Sequence, residues 1–152
     1  MLILPQSVYN QLRFCGEAAY PEECCGILVG ISEGATRTAT SAIPAKNASP
    51  APRNRYQIEP RDLVRILLEA QDVGREILGF YHSHPDHPAH WSPTDLMEAH
   101  WLGSSYVITS VEKGTATVTN AFCLAGATEE DKRFEPEEIE IVGKEDQPGE
   151  GG

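Results

Sequence analysis

No run of apolar residues in this chain approaches the roughly twenty that a membrane-spanning helix requires, which excludes a helical membrane protein on length alone. Basic residues are scarce as well. Twelve Lys and Arg stand against 23 Asp and Glu, giving a formal charge of −11 and a pI near 4.8. Proteins that follow a phosphate backbone display a basic face, and none is apparent, so no nucleic-acid partner is expected; the acidity favours a partner with basic patches. Cysteine is sparse too. The four present form neither C-x-x-C pairs nor the dense framework of a small secreted domain, so they are expected to be reduced, with Cys15 and Cys123 in apolar patterns that suggest core positions. Leu2-Ile3-Leu4 is too short for the apolar part of a signal peptide and lacks a basic flank, which makes a cytoplasmic location the expectation.

What the chain does contain is a concentrated set of metal-compatible side chains. Tyr81-His82-Ser83-His84-Pro85 is followed after a short polar loop by Ser92-Pro93-Thr94-Asp95. The residues before the histidines, Glu76 to Tyr81, form an apolar run that reads as a buried strand. Side chains two apart in a strand share a face, so His82 and His84 point one way and Ser83 the other. Pro85 ends the ladder because it lacks an N–H. Ser92 then suits a helix N-cap, Pro93 the first helical position and Asp95 the acidic third position, with the helix expected to run from Pro93 to Leu102 and Gly103 to end it. Capping and chemistry are compatible in Ser92, since a hydroxyl at a helix start can also face a reacting carbonyl. Two imidazoles and a carboxylate suit one zinc ion with an open position for water, which makes hydrolysis the first hypothesis. Asp86 is a competing carboxylate, but directly after Pro85 it has no helix to fix its direction.

Zinc hydrolysis also needs a general base that is not itself a ligand. Glu22 and Glu23 stand at the mouth of the apolar run Cys25 to Ile31, and Glu23 is placed where a carboxylate at a strand entrance faces a cleft. His87 and His90 are expected in the solvated loop beside the histidine pair, and His100 beside Trp101 or exposed. Trp91 is read as cleft wall or as core beneath it.

The rest of the pattern alternates. A helix follows the spacing Val8, Leu12, Cys15, Ala19, then come strands from Cys25 to Ile31 and from Ala35 to Ile43. The Pro-rich segment from Ala45 to Asn54 is expected to be a flexible loop. Pro60 opens a helix with Leu63, Ile66, Leu67, Ala70 and Val73 on one stripe; two strands joined by a turn follow the histidine region, and a last strand is expected around Glu138 to Val142. The fold class is therefore α/β (α+β), a single-domain mixed sheet sandwiched by helices. Residues 1–143 form the domain, and 144–152 an acidic, Gly-rich tail expected to be flexible.

Taken together, Glu23-Cys24-Cys25-Gly26 and His82-Ser83-His84-Pro85, six residues, Ser92, two residues and Asp95 resemble the JAMM (MPN+, or Mov34/MPN/PAD-1) zinc metalloproteases, of the compact prokaryotic type. Every position of that family's pattern is filled. The resemblance implies a cytidine deaminase-like architecture and one zinc bound by His82, His84 and Asp95, with a water in the fourth place. It further implies Glu23 as the acid/base and Ser92 as the stabiliser of the tetrahedral oxyanion. The implied substrate is a ubiquitin-like or sulfur-carrier protein with an extended Gly-Gly tail, cut at a peptide or isopeptide bond. Two other readings remain: a metal-free interaction scaffold of the same fold, and a cysteine hydrolase using Cys24 or Cys25.

Overall fold

The computed structural model describes residues 1–143; the tail expected at 144–152 lies outside the described residues. Eight strands form one mixed sheet, in the order β7-β6-β5-β4-β2-β3-β1-β8. In chain order the elements are β1 (Leu2–Pro5), α1 (Gln6–Ala19), β2 (Cys25–Glu33), β3 (Thr36–Ala45), α2 (Pro60–Asp72), β4 (Glu76–Pro85), α3 (Pro93–Glu98), β5 (Ser105–Glu112), β6 (Thr115–Ala125), β7 (Arg133–Glu137) and β8 (Ile139–Val142). The sandwich arises because β2, β4 and β5 are apolar on both faces. On one face Leu28, Leu78, Tyr81 and Val107 pack against Val8 and Leu12 of α1. On the other, Ile27, Phe80 and Ile108 belong to the cluster that holds Ile66 and Ala70 of α2.

β4 lies centrally, antiparallel to β2 and parallel to β5. β7 and β8 occupy opposite edges of the sheet although only Glu138 separates them in the chain. The sheet must therefore curl until its edges approach each other, and the Leu2 amide donates to the Glu138 carbonyl at that seam (2.8 Å).

Several expectations need correction. β1 was not expected, since four residues carry too little pattern; it draws its partners from β3 and β8. The single final strand is two, and Pro136 is tolerated in β7 because that strand is an edge. The helix expected from Pro93 to Leu102 stops at Glu98. Ala99 is extended and buried, Trp101 packs edge-on against Phe80 at 5.2 Å, and Lys132 Nζ donates to the Met97 and Ala99 carbonyls (3.1 and 2.7 Å). Packing of Ala99 and Trp101 thus overrides continuation of the helix, and Lys132 satisfies its end. Cys15 and Cys123 are only half-buried; the buried cysteines are Cys24 and Cys25.

Candidate functional site

Alternation along β4 places Phe80 in the cluster facing α2 and Tyr81 in the cluster facing α1. His82 and His84 continue the α2 side, while Ser83 lies on the α1 side, its hydroxyl oxygen accepting the Cys24 amide at 2.8 Å. The loop after Pro85 returns the chain so that Asp95 meets both rings. His82 Nε2 is 3.3 Å from Asp95 Oδ1, His84 Nε2 is 3.0 Å from Asp95 Oδ2, and the two Nε2 atoms are 3.2 Å apart. All three residues offer ligand atoms lying within 4.8 Å of one another.

Each group is held from behind. His84 Nδ1 donates to the Pro88 carbonyl at 2.9 Å. Because a carbonyl can only accept, Nδ1 carries the hydrogen, and in the neutral ring Nε2 presents its lone pair to the cluster. The His82 ring stacks on Tyr56 with centroids 4.4 Å apart. Asp95 is the third helical residue of α3 and completes a capping box, its Oδ2 accepting the Ser92 amide (2.9 Å) while Ser92 Oγ accepts the Asp95 amide (3.1 Å). Local helix chemistry therefore aims the carboxylate.

Burial opposes charge throughout this site. It pulls the His82 pKa below the usual imidazole value, and Asp95 only partly compensates. Burial acts on His84 too, but the Asp95 carboxylate and the Pro88 carbonyl outweigh it and hold its pKa above that value. Burial would raise Asp95, yet hydrogen bonds from His82 and His84 hold its carboxyl well below the usual carboxylate range. Two imidazole nitrogens and a carboxylate, buried and converging, thus form a site that takes either a proton or a metal ion, and the donor set fits zinc.

Glu23 reaches the same cleft from a distant part of the chain. The β2–β4 register pairs Cys25 with His82, which brings the residue before Cys24 level with the histidine pair. Its amide donates to the Pro52 carbonyl (2.7 Å) and its carbonyl accepts Asn47 Nδ2 (3.0 Å). Asn47 also donates to the Arg55 carbonyl and accepts the Ser49 and Gln57 amides, so the segment expected to be flexible is fastened by one side chain. Glu23, His84, Ser92, Arg53, Asn54 and Trp91 are among the residues lining a cavity of about 350 Å³. Glu23 is buried, and its Oε1 has no hydrogen-bond partner among the described residues. Burial pushes its pKa up to about 8.

That shift predicts a pH dependence for the metal-free protein. The folded-state pKa lies above the unfolded one, so the protonated carboxyl is the form the fold favours. The contribution to stability is complete below the unfolded value and lost as pH rises from about 4.5 to about 8. Glu23→Gln, which cannot ionise, should flatten a decline of a few kcal/mol over that window. Thermal melts of both metal-free proteins at pH 5 and pH 8 check it; equal slopes would refute the assignment.

The competing carboxylate is elsewhere. Asp86 adopts φ 57°, accepts the Tyr20 hydroxyl (2.6 Å) and the Lys113 amide (2.8 Å), and does not join the cluster. His87 and His90 are exposed but line the same cavity as Glu23 and His84, and His100 is exposed beside Glu129. Trp91 serves both expected purposes, lining the cavity and packing on Phe134. Burial pushes the Cys25 thiol up to about 12, and Cys24, donating towards Cys15 in a buried setting, is likewise raised, so neither is an activated nucleophile. Sequence reasoning overlooked Tyr56, Asn47 and the Pro88 carbonyl. The only available signal was a lone aromatic and an Asn in a Pro-rich stretch.

The profile of the family Prok-JAB, prokaryotic homologs of the JAB domain, matches residues 5–123. A protein of Haloferax volcanii named Desampylase is 41% identical over 104 residues, covering 68% of this chain and 73% of that protein. A protein of Thermus thermophilus bearing the name "Probable TtuB-protein conjugate cleaving protease" is 32% identical over 101 residues, covering 66% of this chain and 65% of that one. Among solved structures, the solution structure of a protein from Desulfitobacterium hafniense superposes with a TM-score of 0.82 at 27% identity, covering 95% of this chain and 94% of that chain.

Proposed function

Because the chain belongs to the family of prokaryotic homologs of the JAB domain, we propose that it is a zinc metallopeptidase acting on conjugates or fusions of a ubiquitin-like or sulfur-carrier protein. It cuts the peptide or isopeptide bond after that protein's C-terminal Gly-Gly. The observation that carries this reading is the convergence of His82, His84 and Asp95 beside a cavity that Glu23, His84 and Ser92 line together. The names of the relatives in Haloferax volcanii and Thermus thermophilus support the choice of conjugates as substrates.

His82, His84 and Asp95 hold the zinc in this reading. The ion, when bound, supplies a Lewis acid that acidifies water and polarises the scissile carbonyl. Glu23 is the general base: its unpartnered Oε1 accepts the proton of the attacking water and returns it to the leaving amine. A pKa raised by burial suits both halves of that exchange, since the group must gain a proton and then give it up near neutrality. Ser92 Oγ uses a lone pair to accept the Asp95 amide, which leaves its own O–H free to donate to the developing oxyanion. Arg53 and Asn54 on the cavity wall face the path of an extended tail, where glycines permit close backbone approach. Residues 1–143 are read as the catalytic domain. A cytoplasmic location goes with this reading, and the free thiols of all four cysteines accord with it.

The test is to load the purified chain with zinc and offer it a ubiquitin-like protein fused through its terminal Gly-Gly to a reporter. Cleavage after the second glycine, abolished by a chelator and restored by zinc, is expected. Cleavage indifferent to chelation, or none of any Gly-Gly fusion, would overturn the proposal.

Ser92 offers a separate check. Ser92→Ala removes the oxyanion donor, which costs kcat about 10²-fold, and the helix cap, which costs about 1 kcal/mol of stability. KM and bound zinc should stay near the original values. A kcat within a few-fold of the parent would leave Ser92 with capping alone.

A further inference from the structure

The base fixes which end of the cleft receives the leaving group. Glu23 returns a proton to the departing amine, so whatever that nitrogen carries must lie in the cavity that Glu23 lines. The rest of that wall is rich in donors: Arg53 brings a guanidinium, Asn54 an amide, Thr94 a hydroxyl, and His87 and His90 an imidazole each. Among the described residues that line it, Glu23 is the one carboxylate. This reverses the balance of the whole chain, in which 23 acidic residues face 12 basic ones.

In so acidic a chain most arginines find a partner. Arg55 pairs with Glu98, Arg61 with Glu59, Arg65 with Asp62 and Glu69, and Arg133 with Glu135. Arg13 and Arg37 donate to Thr119 and Ser105. Arg53 is exposed on the cavity wall and has, among the described residues, neither an ion pair nor a side-chain hydrogen bond. Asp86, on the loop after Pro85, gives its two oxygens to the Tyr20 hydroxyl and the Lys113 amide instead. The backbone around Arg53 is nevertheless fixed: the Pro52 carbonyl accepts the Glu23 amide at 2.7 Å, and the Ala51 carbonyl accepts the Asn54 and Arg55 amides at 3.0 and 3.1 Å. An unpaired cation is thus tied, through one residue, to the strand entrance that carries the base.

We propose that Arg53 is a carboxylate receptor on the leaving-group side of the cleft, and that it selects a single α-amino acid joined through its amine to the terminal glycine of the carrier. Such an adduct places a carboxylate one carbon from the scissile nitrogen, where a guanidinium fork can donate to both oxygens. A lysine linked through its ε-nitrogen brings only an aliphatic stem to that place, and a longer polypeptide brings a neutral amide. The cavity, about 350 Å³, is near the small end of the range for small-molecule sites, which suits one residue beyond the glycine better than a folded body. The reaction stays a hydrolysis. The water oxygen bonds to the glycine carbonyl carbon, the C–N bond breaks, and Glu23 hands the water's proton to the nitrogen, leaving a carrier carboxylate and a free amino acid. Turnover rests on the peptidase reading above; carboxylate recognition is read by binding alone.

The probes are one ubiquitin-like protein extended by a single alanine after its Gly-Gly, as the free acid and as the C-terminal amide, and the same protein linked to the ε-nitrogen of a blocked lysine. Zinc-loaded Glu23→Gln, in which turnover is slowed, should bind the acid about tenfold more tightly than the amide or the lysine adduct, as expected of one charge-assisted pair. The zinc-loaded parent should show the same preference in kcat/KM. Adding Arg53→Gln should bring both ratios to about one, and Arg53→Lys should keep part of each. Equal binding of acid and amide, a preference that survives Arg53→Gln, or a lysine adduct cut as fast as the acid would overturn the proposal. Preferential binding through Arg53 without cleavage of any probe would uphold the receptor and count against the peptidase reading alone.

Discussion

Glu23→Gln is expected to lower the turnover of a Gly-Gly conjugate about 10³-fold, within the range ascribed to losing a general acid–base group. The amide keeps the size and the backbone anchors of Glu23 to Pro52 and Asn47, so the cleft keeps its shape. Zinc content should be unchanged, because the carboxylate is not among the three groups that converge as a possible metal site. The loss belongs in kcat rather than KM, since the proton transfer is made only in the transition state. Parallel measurements of bound zinc and steady-state cleavage decide the matter. A variant that retains both zinc and full activity would remove Glu23 from the reaction.

His84→Ala is expected to abolish activity by a different route, through loss of the metal. Removing the ring deletes one of the three groups proposed to hold the metal, leaves Asp95 Oδ2 without its 3.0 Å partner, and empties a buried position on β4. Zinc should no longer copurify at one ion per chain. Because the truncation can also unsettle the central strand, Asp95→Asn provides the companion variant. Its side-chain oxygen can still accept the Ser92 amide and preserve the capping box, but it loses the ligand charge. It should fold like the parent and bind zinc at least about tenfold more weakly, in line with the sensitivity of such sites to their ligand environment. Parental zinc affinity in Asp95→Asn would remove Asp95 from the ligand set.

Features of the site governed by nearest neighbours were legible in the chain. An interval of two in an extended segment is enough to put His82 and His84 on one face, and Ser92-Pro93-Thr94-Asp95 sets its own reciprocal cap. The helices Gln6–Ala19 and Pro60–Asp72 follow from apolar periodicity in the same way. Misreadings arose where a remote surface outbid local preference. The stretch after Glu98 has no breaker before Gly103, yet Ala99 and Trp101 leave the helix because the core by Phe80 offers them burial. Asn47 turned an apparently loose Pro-rich segment into an anchor for Glu23, a result of five hydrogen bonds that no periodicity announces.

By itself the order of residues determined which groups were available for chemistry, which pair shared a strand face and which carboxylate a helix start would aim. Tertiary structure alone decided that Glu23 is fastened to Pro52 and Asn47 with its Oε1 unpartnered among the described residues, and that Asp86 is diverted to Tyr20 and Lys113. The physical reason is range. Strand alternation and helix capping act over two to four residues, whereas the β2–β4 register, which places Cys25 opposite His82, is chosen by burying apolar side chains on both sides of a sheet at once.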